Sequence, residues 1–544
     1  MSKAWLKHYP EGVPCTLTYP EIPVPEILTV TAQRFSDKTA LIFRGRTITY
    51  RQLDVFCDRF ALSLADLGVK KSDRVALFLP NIPQFPVCYF GALRAGAVVV
   101  PCSPLYKARE LEFQLNDSGA ETIVALDTLR GIVSSVRRRT RLRNVIITML
   151  DDLLPEEPRM TTDHADALWL GDLLERQEKT PLRVVIDPKR DPALFQYTGG
   201  TTGAPKAAIL THYNVVVNAV QFGSWLPTLR EGGEVVLAVL PLFHIFGMTA
   251  AMNMPILKAE AIALLPKFEA SQVLETIQRH TITFFPGVPT MFISLINNSE
   301  TSRYDLRSVQ LCISGASSLP VEVMRRFEAI TRGRLVEGYG LTEASPVTHC
   351  NPADRPDKVR AGSIGIPLPD TDAKIVDIET GKKDLIADEI GELVVRGPQV
   401  MAGYWNQAEE TEHALRQGWL HTGDIAKMDG DGYFYIVDRK KDMINVSGLK
   451  VWPREVEEVL YEHPAVKEAA VVGVADPYRG ESVKAYVVVR EGFTDQITAQ
   501  AIIQFCEGKI AAFKVPNQVE LTAELPKTGV GKVLKRELKR AARP

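Results

Sequence analysis

One stretch of the sequence combines glycine, threonine and lysine in a pattern suited to holding a polyphosphate. Residues 197–206 read Tyr-Thr-Gly-Gly-Thr-Thr-Gly-Ala-Pro-Lys and follow a short apolar run at 193–195 that predicts a strand. Glycines let backbone N–H groups turn toward an anion, while the threonine hydroxyls and Lys206 add donors and charge. A flexible surface loop has a similar composition. The Walker A pattern fits poorly, because Ala207 follows the lysine where serine or threonine is expected.

Four later stretches carry further groups that suit nucleotide chemistry: 338–343 (Gly-Tyr-Gly-Leu-Thr-Glu), 421–424 (His-Thr-Gly-Asp), 438–442 (Asp-Arg-Lys-Lys-Asp) and 526–532 (Pro-Lys-Thr-Gly-Val-Gly-Lys). In this order and spacing, and together with the first stretch, they resemble the adenylate-forming superfamily of acyl-CoA synthetases, luciferases and peptide-synthetase adenylation domains. The resemblance spans nearly the whole chain. Within the superfamily, the first stretch is most similar to that of the fatty-acid–CoA ligases.

The resemblance implies an enzyme: an ATP-dependent fatty-acid–CoA ligase that joins a medium- or long-chain acid to coenzyme A through an acyl-adenylate. A carboxylate with a pKa of about 4 is already ionised at neutral pH, so its attack on ATP requires no general base. An anion must instead approach a polyanion, which requires fixed donors, a cation and Mg²⁺. An aryl or hydroxycinnamic acid–CoA ligase and a ligase that loads a carrier protein share the nucleotide motifs and stay open. A nucleotide-binding protein without catalysis is a third alternative.

The resemblance assigns the phosphate contacts to the first stretch and to 338–343. Thr342 is expected to contact the phosphates, and Glu343 to ligate Mg²⁺, a hard cation that prefers oxygen ligands. Outside this context Glu343 would be read as an ordinary surface carboxylate. The residues expected to hold the β- and γ-phosphates are Thr198, Gly199, Gly200, Thr201, Thr202, Gly203 and Lys206.

The nucleoside contacts follow from the same resemblance. Asp424 matches the family's ribose ligand, because a carboxylate can accept hydrogen bonds from two neighbouring hydroxyls, although Gly-Asp is also β-turn chemistry. Arg439 matches a residue that also reaches the ribose. Gly315, Ala316 and Tyr339 resemble the walls on either side of adenine, a flat ring that requires flat or small neighbours.

An apolar channel for the acid is expected around His244, where the family often places an aromatic residue or a histidine. Phe243, Phe246 and residues 284–290 supply apolar surface there. An alkyl chain gains roughly 0.8 kcal/mol for each buried CH₂, so the depth of this channel would set the chain length. A single histidine in an apolar stretch more often simply packs, so a structural role for His244 stays open.

The last part of the chain is expected to serve both half-reactions. The resemblance has Lys532 reach the α-phosphate and the substrate carboxylate during adenylation, although its place after Gly531 is also ordinary turn chemistry. Gly448 and Lys450 resemble the face that meets the pocket for the thiol step, after a rotation. Lys441 matches the hinge of that rotation.

The elements that would position these residues alternate between strands and helices. Apolar runs such as 75–79 and 235–239 predict strands, with helical periods between them, which indicates parallel sheets covered by helices. Three glycine- or proline-rich loops each directly follow an apolar strand. Because ligands collect at the carboxyl ends of such strands, we expect these loops to share one pocket.

We therefore predict an α/β chain of two domains. Residues 1–437 form a large N-terminal AMP-binding domain of two helix-covered, mostly parallel sheets plus a small β-barrel or distorted sheet. Residues 438–544 form a small, mobile α+β C-terminal domain, with helices expected at 453–461 and 499–507. A unit of this size can fold by itself.

Length and composition narrow the class of protein. At 544 residues the chain exceeds what one hydrophobic core organises. Its 64 basic and 66 acidic residues give a net charge of −2, so no overall field would recruit nucleic acid. Seven scattered cysteines without a Cys-x-x-Cys spacing, and an N-terminus without an apolar signal core, indicate a cytoplasmic protein. Peripheral membrane association stays open, as does the choice between monomer and homodimer.

Overall fold

The computed structural model describes residues 3–153, 167–175, 182–198, 205–439, 442–447, 449–476, 478–493, 496–528 and 531–542. The predicted site residues outside these ranges are Gly199, Gly200, Thr201, Thr202, Gly203, Lys441 and Gly448, together with the side chain of Arg439. None of the helices in the described ranges combines the length and the apolarity that crossing a lipid bilayer requires.

Helices and strands alternate through most of the chain. The α-helices are α1 (Pro25–Arg34), α2 (Tyr50–Asp66), α3 (Gln84–Arg94), α4 (Ala108–Ser118), α5 (Arg130–Arg137), α6 (Leu170–Leu174), α7 (His212–Trp225), α8 (Ile245–Met248), α9 (Met254–Leu257), α10 (Ala270–His280), α11 (Pro289–Ile296), α12 (Val321–Thr331), α13 (Ala408–Ala414), α14 (Pro453–Tyr461), α15 (Ala499–Glu507) and α16 (Lys535–Ala541). Short 3₁₀ turns occur at Ala4–His8, Asp127–Leu129, Thr301–Arg303, Thr342–Ala344, Pro356–Lys358 and Ala512–Lys514, and a π turn at Thr249–Asn253.

The strands are β1 (Thr39–Phe43), β2 (Arg46–Thr49), β3 (Arg74–Phe78), β4 (Val98–Pro101), β5 (Thr122–Leu126), β6 (Asn144–Thr148), β7 (Leu168–Trp169), β8 (Pro192–Thr198), β9 (Lys206–Thr211), β10 (Val235–Ala238), β11 (Ala261–Leu264), β12 (Phe284–Gly287), β13 (Leu311–Ser314), β14 (Arg334–Gly340), β15 (Val347–Cys350), β16 (Ile366–Pro367), β17 (Asp372–Val376), β18 (Gly391–Arg396), β19 (Gly403–Tyr404), β20 (Leu415–Arg416), β21 (Trp419–Met428), β22 (Phe434–Arg439), β23 (Ile444–Val446), β24 (Leu449–Val451), β25 (Val466–Asp476), β26 (Gly480–Val489) and β27 (Gln518–Thr522).

A nine-stranded sheet has the order β16-β15-β14-β13-β12-β10-β11-β1-β2. Its centre, from β14 to β1, is parallel, and antiparallel strands stand at both edges. The central strands read as short unbroken apolar runs because helices cover both faces of a parallel sheet. The loops after β10, β12 and β13 therefore emerge at one edge, as the sequence predicted, and the loop after β14 joins them there.

An eight-stranded sheet has the order β19-β9-β8-β4-β3-β5-β6-β7. It is parallel from β8 to β7, whereas β9 pairs with β8 in an antiparallel hairpin. The helix α2 packs against α3, α6 and strands β1 and β2, and it begins with a capping box in which the Thr49 hydroxyl accepts the Gln52 N–H at 3.2 Å and the Gln52 side chain accepts the Thr49 N–H at 2.9 Å. The two predicted helix-covered sheets are thus confirmed.

The predicted small β-barrel or distorted sheet is a five-stranded antiparallel sheet. Its order is β17-β18-β21-β20, and β22 also pairs with β21. Both β20 and β22 pair with β21, because the ten residues of this strand are long enough to hold one partner at each end.

The last sheet has the order β24-β23-β26-β25, with β27 added parallel to β26. Helices α14 and α15 cover it and begin and end where the sequence predicted. Two hydrophobic clusters, one from residues 444–515 and one from 470–538, are built from this part of the chain alone. We call residues 442–542 the C-terminal unit.

Candidate active site

The predicted phosphate loop joins two antiparallel strands. β8 ends at Thr198 and β9 begins at Lys206, and these two residues face each other across the hairpin. Two residues before the loop, the Gln196 side-chain amide donates to the Phe243 carbonyl at 3.0 Å, so the hairpin is tied to the loop that follows β10. The hairpin therefore brings both ends of the predicted phosphate loop beside the first of the glycine- and proline-rich loops.

Lys206 is paired with a carboxylate of the protein. Its Nζ lies 2.5 Å from Oε2 of Glu410 on α13 and 5.5 Å from the ring centre of Tyr404. The hydrogen bond from Lys206 lowers the pKa of the Glu410 carboxyl, which is therefore ionised at neutral pH. Both side chains are partly exposed, so the pair contributes only about 0–1 kcal/mol to stability and leaves the lysine available to another anion.

Glu343 is held by a neighbouring tyrosine. It lies in the turn Thr342–Ala344 directly after β14, and the Tyr404 hydroxyl donates to its Oε1 at 2.7 Å. Burial and the Glu343 charge hold the pKa of Tyr404 well above its usual value, so the hydroxyl keeps its proton and stays a donor. The remaining carboxylate oxygen is a hard ligand on a fixed side chain, which fits Mg²⁺.

Asp424 and Tyr339 meet although 85 residues separate them. The Tyr339 hydroxyl donates to Oδ2 of Asp424 at 2.6 Å. Asp424 is nearly buried on β21 and pairs in register with Arg439 on β22. The sequence predicted Tyr339 as an adenine wall and the other two as ribose ligands, so the structure gathers all three at the end of β14.

Gly315 and Ala316 directly follow β13. A Cβ on Gly315 would lie 2.9 Å from Cε1 of Phe246, closer than van der Waals contact allows, so only glycine lets this ring approach the backbone. Ala316 has a φ of 64°, a left-handed conformation that a residue other than glycine rarely adopts. The chain thus turns sharply at the carboxyl end of the strand, as ligand-binding loops of parallel sheets do.

His244 caps the short helix α8. Its Nδ1 accepts the backbone N–H of Phe246 at 3.2 Å. Burial, and next the positive charge of Lys532, lower the pKa of His244 from 6.5 to about 4. The imidazole is therefore neutral at pH 7, and the positive charge of Lys532 is near enough to contribute to that shift.

Lys532 reaches this place from the far end of the chain. It closes a turn in which the Thr528 N–H donates to the Lys532 carbonyl at 2.7 Å and the Lys532 N–H donates to Thr528 Oγ1 at 3.1 Å. Gly531 rests on the first turn of α11, where the Thr290 hydroxyl donates to the Gly531 carbonyl at 3.4 Å. With a φ of 78° and Thr290 Oγ1 2.8 Å from a would-be Cβ, this position suits glycine alone.

These contacts gather most of the predicted site. The turn that carries Glu343 is joined to the π turn after α8 by a bond of 2.9 Å from Thr249 Oγ1 to the Ser345 carbonyl. Lys450 is different: it lies exposed on β24, opposite Asn445, and contacts none of the site residues within the described ranges. Residues 199–203, Lys441, Gly448 and the Arg439 side chain lie outside the described residues, so their roles stay predictions.

Two residues that touch the site were not singled out from the sequence. Tyr404 follows Gly403 and precedes Trp405, and an aromatic pair after a glycine in a polar stretch was a usable signal. Glu410 stands among Glu409 and Glu412, where nothing local distinguishes it.

Two protein-family models match this chain, one over its larger N-terminal part and one over the C-terminal unit. The model of the AMP-binding enzyme family matches residues 28–405, and that of the AMP-binding enzyme C-terminal domain matches residues 455–532. The chain belongs to the AMP-binding enzyme family. The resemblance predicted from the five motifs is therefore confirmed.

Individual relatives cover this AMP-binding enzyme almost completely. A long-chain-fatty-acid–CoA ligase of Bacillus subtilis (strain 168) is 44% identical over 98% of this chain and 97% of that protein. A long-chain-fatty-acid–CoA ligase of Salmonella typhimurium (strain LT2) is 39% identical over 100% of this chain and 99% of that protein. The crystal structure of the anthranilate CoA ligase AuaEII in complex with anthranoyl-AMP superposes with a TM-score of 0.87 at 29% identity, covering 96% of this chain and 98% of that one.

Proposed function

We propose that this AMP-binding enzyme is an ATP-dependent ligase that joins a long-chain fatty acid to coenzyme A through an acyl-adenylate. The two relatives that match nearly the whole chain are long-chain-fatty-acid–CoA ligases, which supports this class of acid. The nucleotide site alone does not select the acid, because a ligase of an aromatic acid shares the architecture.

One observation carries the chemistry: Lys532 stands beside a neutral histidine at the edge where the strand loops converge. A fatty-acid carboxylate and ATP are both anions, so their approach requires a fixed cation near the point where they meet. His244 is uncharged at neutral pH and sits next to the apolar side chains of Phe243 and Phe246. The pair thus offers a positive charge at the head of an apolar surface, which matches a fatty acid.

In the first half-reaction, a carboxylate oxygen bonds to the α-phosphorus of ATP and the bond to the β-phosphate oxygen breaks, so that pyrophosphate leaves. Lys206 and Thr198 would bind the leaving phosphates, and Lys532 would stabilise the charge at the α-phosphate. Asp424 would accept the ribose hydroxyls. Mg²⁺, held by Glu343, would neutralise the phosphate charge when bound.

In the second half-reaction, the thiolate of coenzyme A bonds to the acyl carbon and the bond to the AMP oxygen breaks. We propose that the chain divides near Asp438 into domains of residues 1–437 and 438–544, and that the second turns about Lys441 between the two steps. Gly448 and Lys450 would then face the pocket with Arg439 still near the ribose. The exposure of Lys450 in the present arrangement is compatible with this second role.

A panel of acids tests the proposal. Acyl-CoA formation is measured with saturated acids from six to eighteen carbons, with coumarate and with benzoate, and kcat/KM is compared. We expect the longer saturated acids to give the highest kcat/KM, because each buried CH₂ contributes roughly 0.8 kcal/mol. A preference for coumarate or benzoate would identify an aryl–CoA ligase. Adenylation of long acids without transfer to coenzyme A would identify a ligase that loads a carrier protein.

A further inference from the structure

Arg454 connects the C-terminal unit to the rest of the protein through buried polar contacts. It is the second residue of α14, and its side chain is only 12% exposed. Nη1 donates to the Ile436 carbonyl at 2.6 Å, and Nη2 lies 3.4 Å from the Gly362 carbonyl. Both acceptors lie outside the C-terminal unit, so the guanidinium is anchored across its boundary.

Arg454 also provides charge compensation for a buried carboxylate. Glu337 lies on β14 with 6% of its side chain exposed, and its Oε1 is 4.0 Å from Arg454 Nη2. Its Oε2 has no hydrogen-bond partner among the described residues. Burial raises the pKa of Glu337 to about 7, and Arg454 is the largest influence that opposes the rise. Without this arginine the ionised carboxylate would be strongly disfavoured.

Of the two other charges near Arg454, Glu458 belongs to the C-terminal unit and Asp438 lies on β22, just outside it. Glu458, one turn further along α14, has Oε1 3.7 Å from Arg454 Nε. Asp438 accepts the backbone N–H of Arg454 through Oδ2 at 3.1 Å. Glu337 is thus the partner on the nine-stranded sheet, and a rotation of the C-terminal unit would separate Arg454 from it.

Glu337 is closely connected to the active site. It precedes Tyr339 by two residues, so both side chains project from the same face of β14. Tyr339 binds Asp424, and β14 leads directly into the turn that carries Glu343. Arg454 therefore brings a positive charge of the C-terminal unit to within 4.0 Å of a carboxylate on the strand that leads to the nucleotide residues.

We propose that Arg454 is a positioning residue that holds the C-terminal unit in the orientation which places Lys532 beside His244. Arg454 then promotes acyl-adenylate formation and is not required for the thioester step, in which the unit would have turned away. This inference rests on the proposed function. It assigns to Arg454 a role in one half-reaction through Glu337, without contact with either substrate.

Separate assays of the two half-reactions test this role. In Arg454→Ala, we expect pyrophosphate exchange driven by a long-chain acid to fall by about 10- to 100-fold, since a hydrogen-bonded charge is lost. The rate at which supplied acyl-adenylate and coenzyme A are converted to acyl-CoA should stay within about threefold of the wild-type rate. A difference of that size is ordinary among variants that disturb nothing essential. The second assay, run on the same preparation, also shows that the variant is folded.

A matched control removes an ion pair that stays inside the C-terminal unit. Lys509 Nζ lies 2.7 Å from Oε2 of Glu462, which follows α14. Lys509→Ala should leave both half-reactions unchanged. A comparable loss of pyrophosphate exchange in this control would overturn the special role of Arg454.

A double-mutant cycle tests the route through the buried carboxylate. Glu337→Gln keeps the shape of the side chain and removes its charge, so this variant should also slow pyrophosphate exchange alone. Adding it to Arg454→Ala should cause little further loss, because the two residues act as one pair. Fully additive losses, or an equal loss of both half-reactions in Arg454→Ala, would refute the inference. A wild-type protein without acyl-adenylate formation from any acid would instead refute the proposed function.

Discussion

Removal of the Lys532 ammonium should slow the first half-reaction and leave the second unchanged. It should also raise the pKa of His244. Loss of one fixed donor to a developing anion lowers a rate by about 10²–10³. We therefore expect Lys532→Ala to lower acyl-adenylate formation by this factor. The same variant should convert supplied acyl-adenylate and coenzyme A at close to the wild-type rate.

The expected change in the pKa of His244 provides a second, independent test of Lys532→Ala. Burial and Lys532 together lower it from 6.5 to about 4, a difference of about 2.5 pH units, and burial is the larger cause. Lys532 therefore accounts for less than half of the shift. In Lys532→Ala the pKa of His244 should rise from about 4, yet remain below its ordinary value of 6.5, because desolvation, the larger cause, is unchanged.

Selective carbon-13 labelling of histidine allows this pKa to be followed by NMR, since the chain has nine histidines. His212 is the matched control, because burial lowers its pKa to about 4 and its charged neighbours are Asp191 and Lys71. Its titration should be the same in wild type and Lys532→Ala. An unchanged pKa of His244 would show that Lys532 does not lie beside it in solution. Equal damage to both half-reactions would show that Lys532 is structural.

Four further variants test other parts of the molecule. Glu343→Gln should lower the rate of pyrophosphate exchange by about 10²-fold or more, because a Mg²⁺ ligand is lost. Tyr404→Phe keeps the Glu343 carboxylate and should therefore lower this rate less. Equal losses in the two variants would contradict the role of Glu343. Asp424→Ala should raise KM for ATP by about tenfold with a smaller change in kcat, and a KM within twofold of wild type would rule out the ribose contact. Burial raises the pKa of Glu260 from 4.5 to about 8, so the folded protein keeps a proton that the unfolded chain loses, and the free energy of unfolding should decrease as pH rises from about 4.5 to 8. Urea unfolding should show a weaker decrease in Glu260→Gln; an unchanged slope would assign it to other groups.

A test of chain length needs a position that faces the acid. A Cβ on Gly287 would lie 2.8 Å from Cζ of the buried Phe292, so enlarging Gly287 would disturb the core before it shortened any channel. Phe243 and His244, at the convergence of the strand loops, are partly exposed and are the better positions for such a series.

The sequence best predicted those helices and strands that neighbouring residues alone make recognisable. The helix α14 was predicted with its correct bounds, because Pro453 marks its first turn and its apolar side chains have helical spacing. By contrast, the segments between the predicted strands were not resolved into elements where those elements are short. The helix α5 has only eight residues and buries just Val133 and Val136, and β6 has five.

The same distinction holds for the site. Glycine-rich loops and the motif residues Glu343, Asp424 and Lys532 stand in recognisable local patterns, and the structure places them at one edge of the sheets. Arg454 and Glu337 lie more than 100 residues apart, and each is an ordinary charged residue in its own segment. Only the docking of the C-terminal unit on β14 brings them together, and no local pattern records that contact.

If Lys206 binds the phosphates as proposed, its ion pair with Glu410 makes the binding of ATP an exchange of counter-ions. The triphosphate must displace a carboxylate that is attached to the same protein and therefore remains at a high effective concentration after it is displaced. After pyrophosphate has been cleaved from AMP, Glu410 competes with it for Lys206. Anions from solution must first diffuse to the site, whereas the Glu410 carboxylate is always near. We therefore expect the tethered carboxylate to shorten the residence of pyrophosphate, so that the lysine which helps to bind ATP does not retain the product.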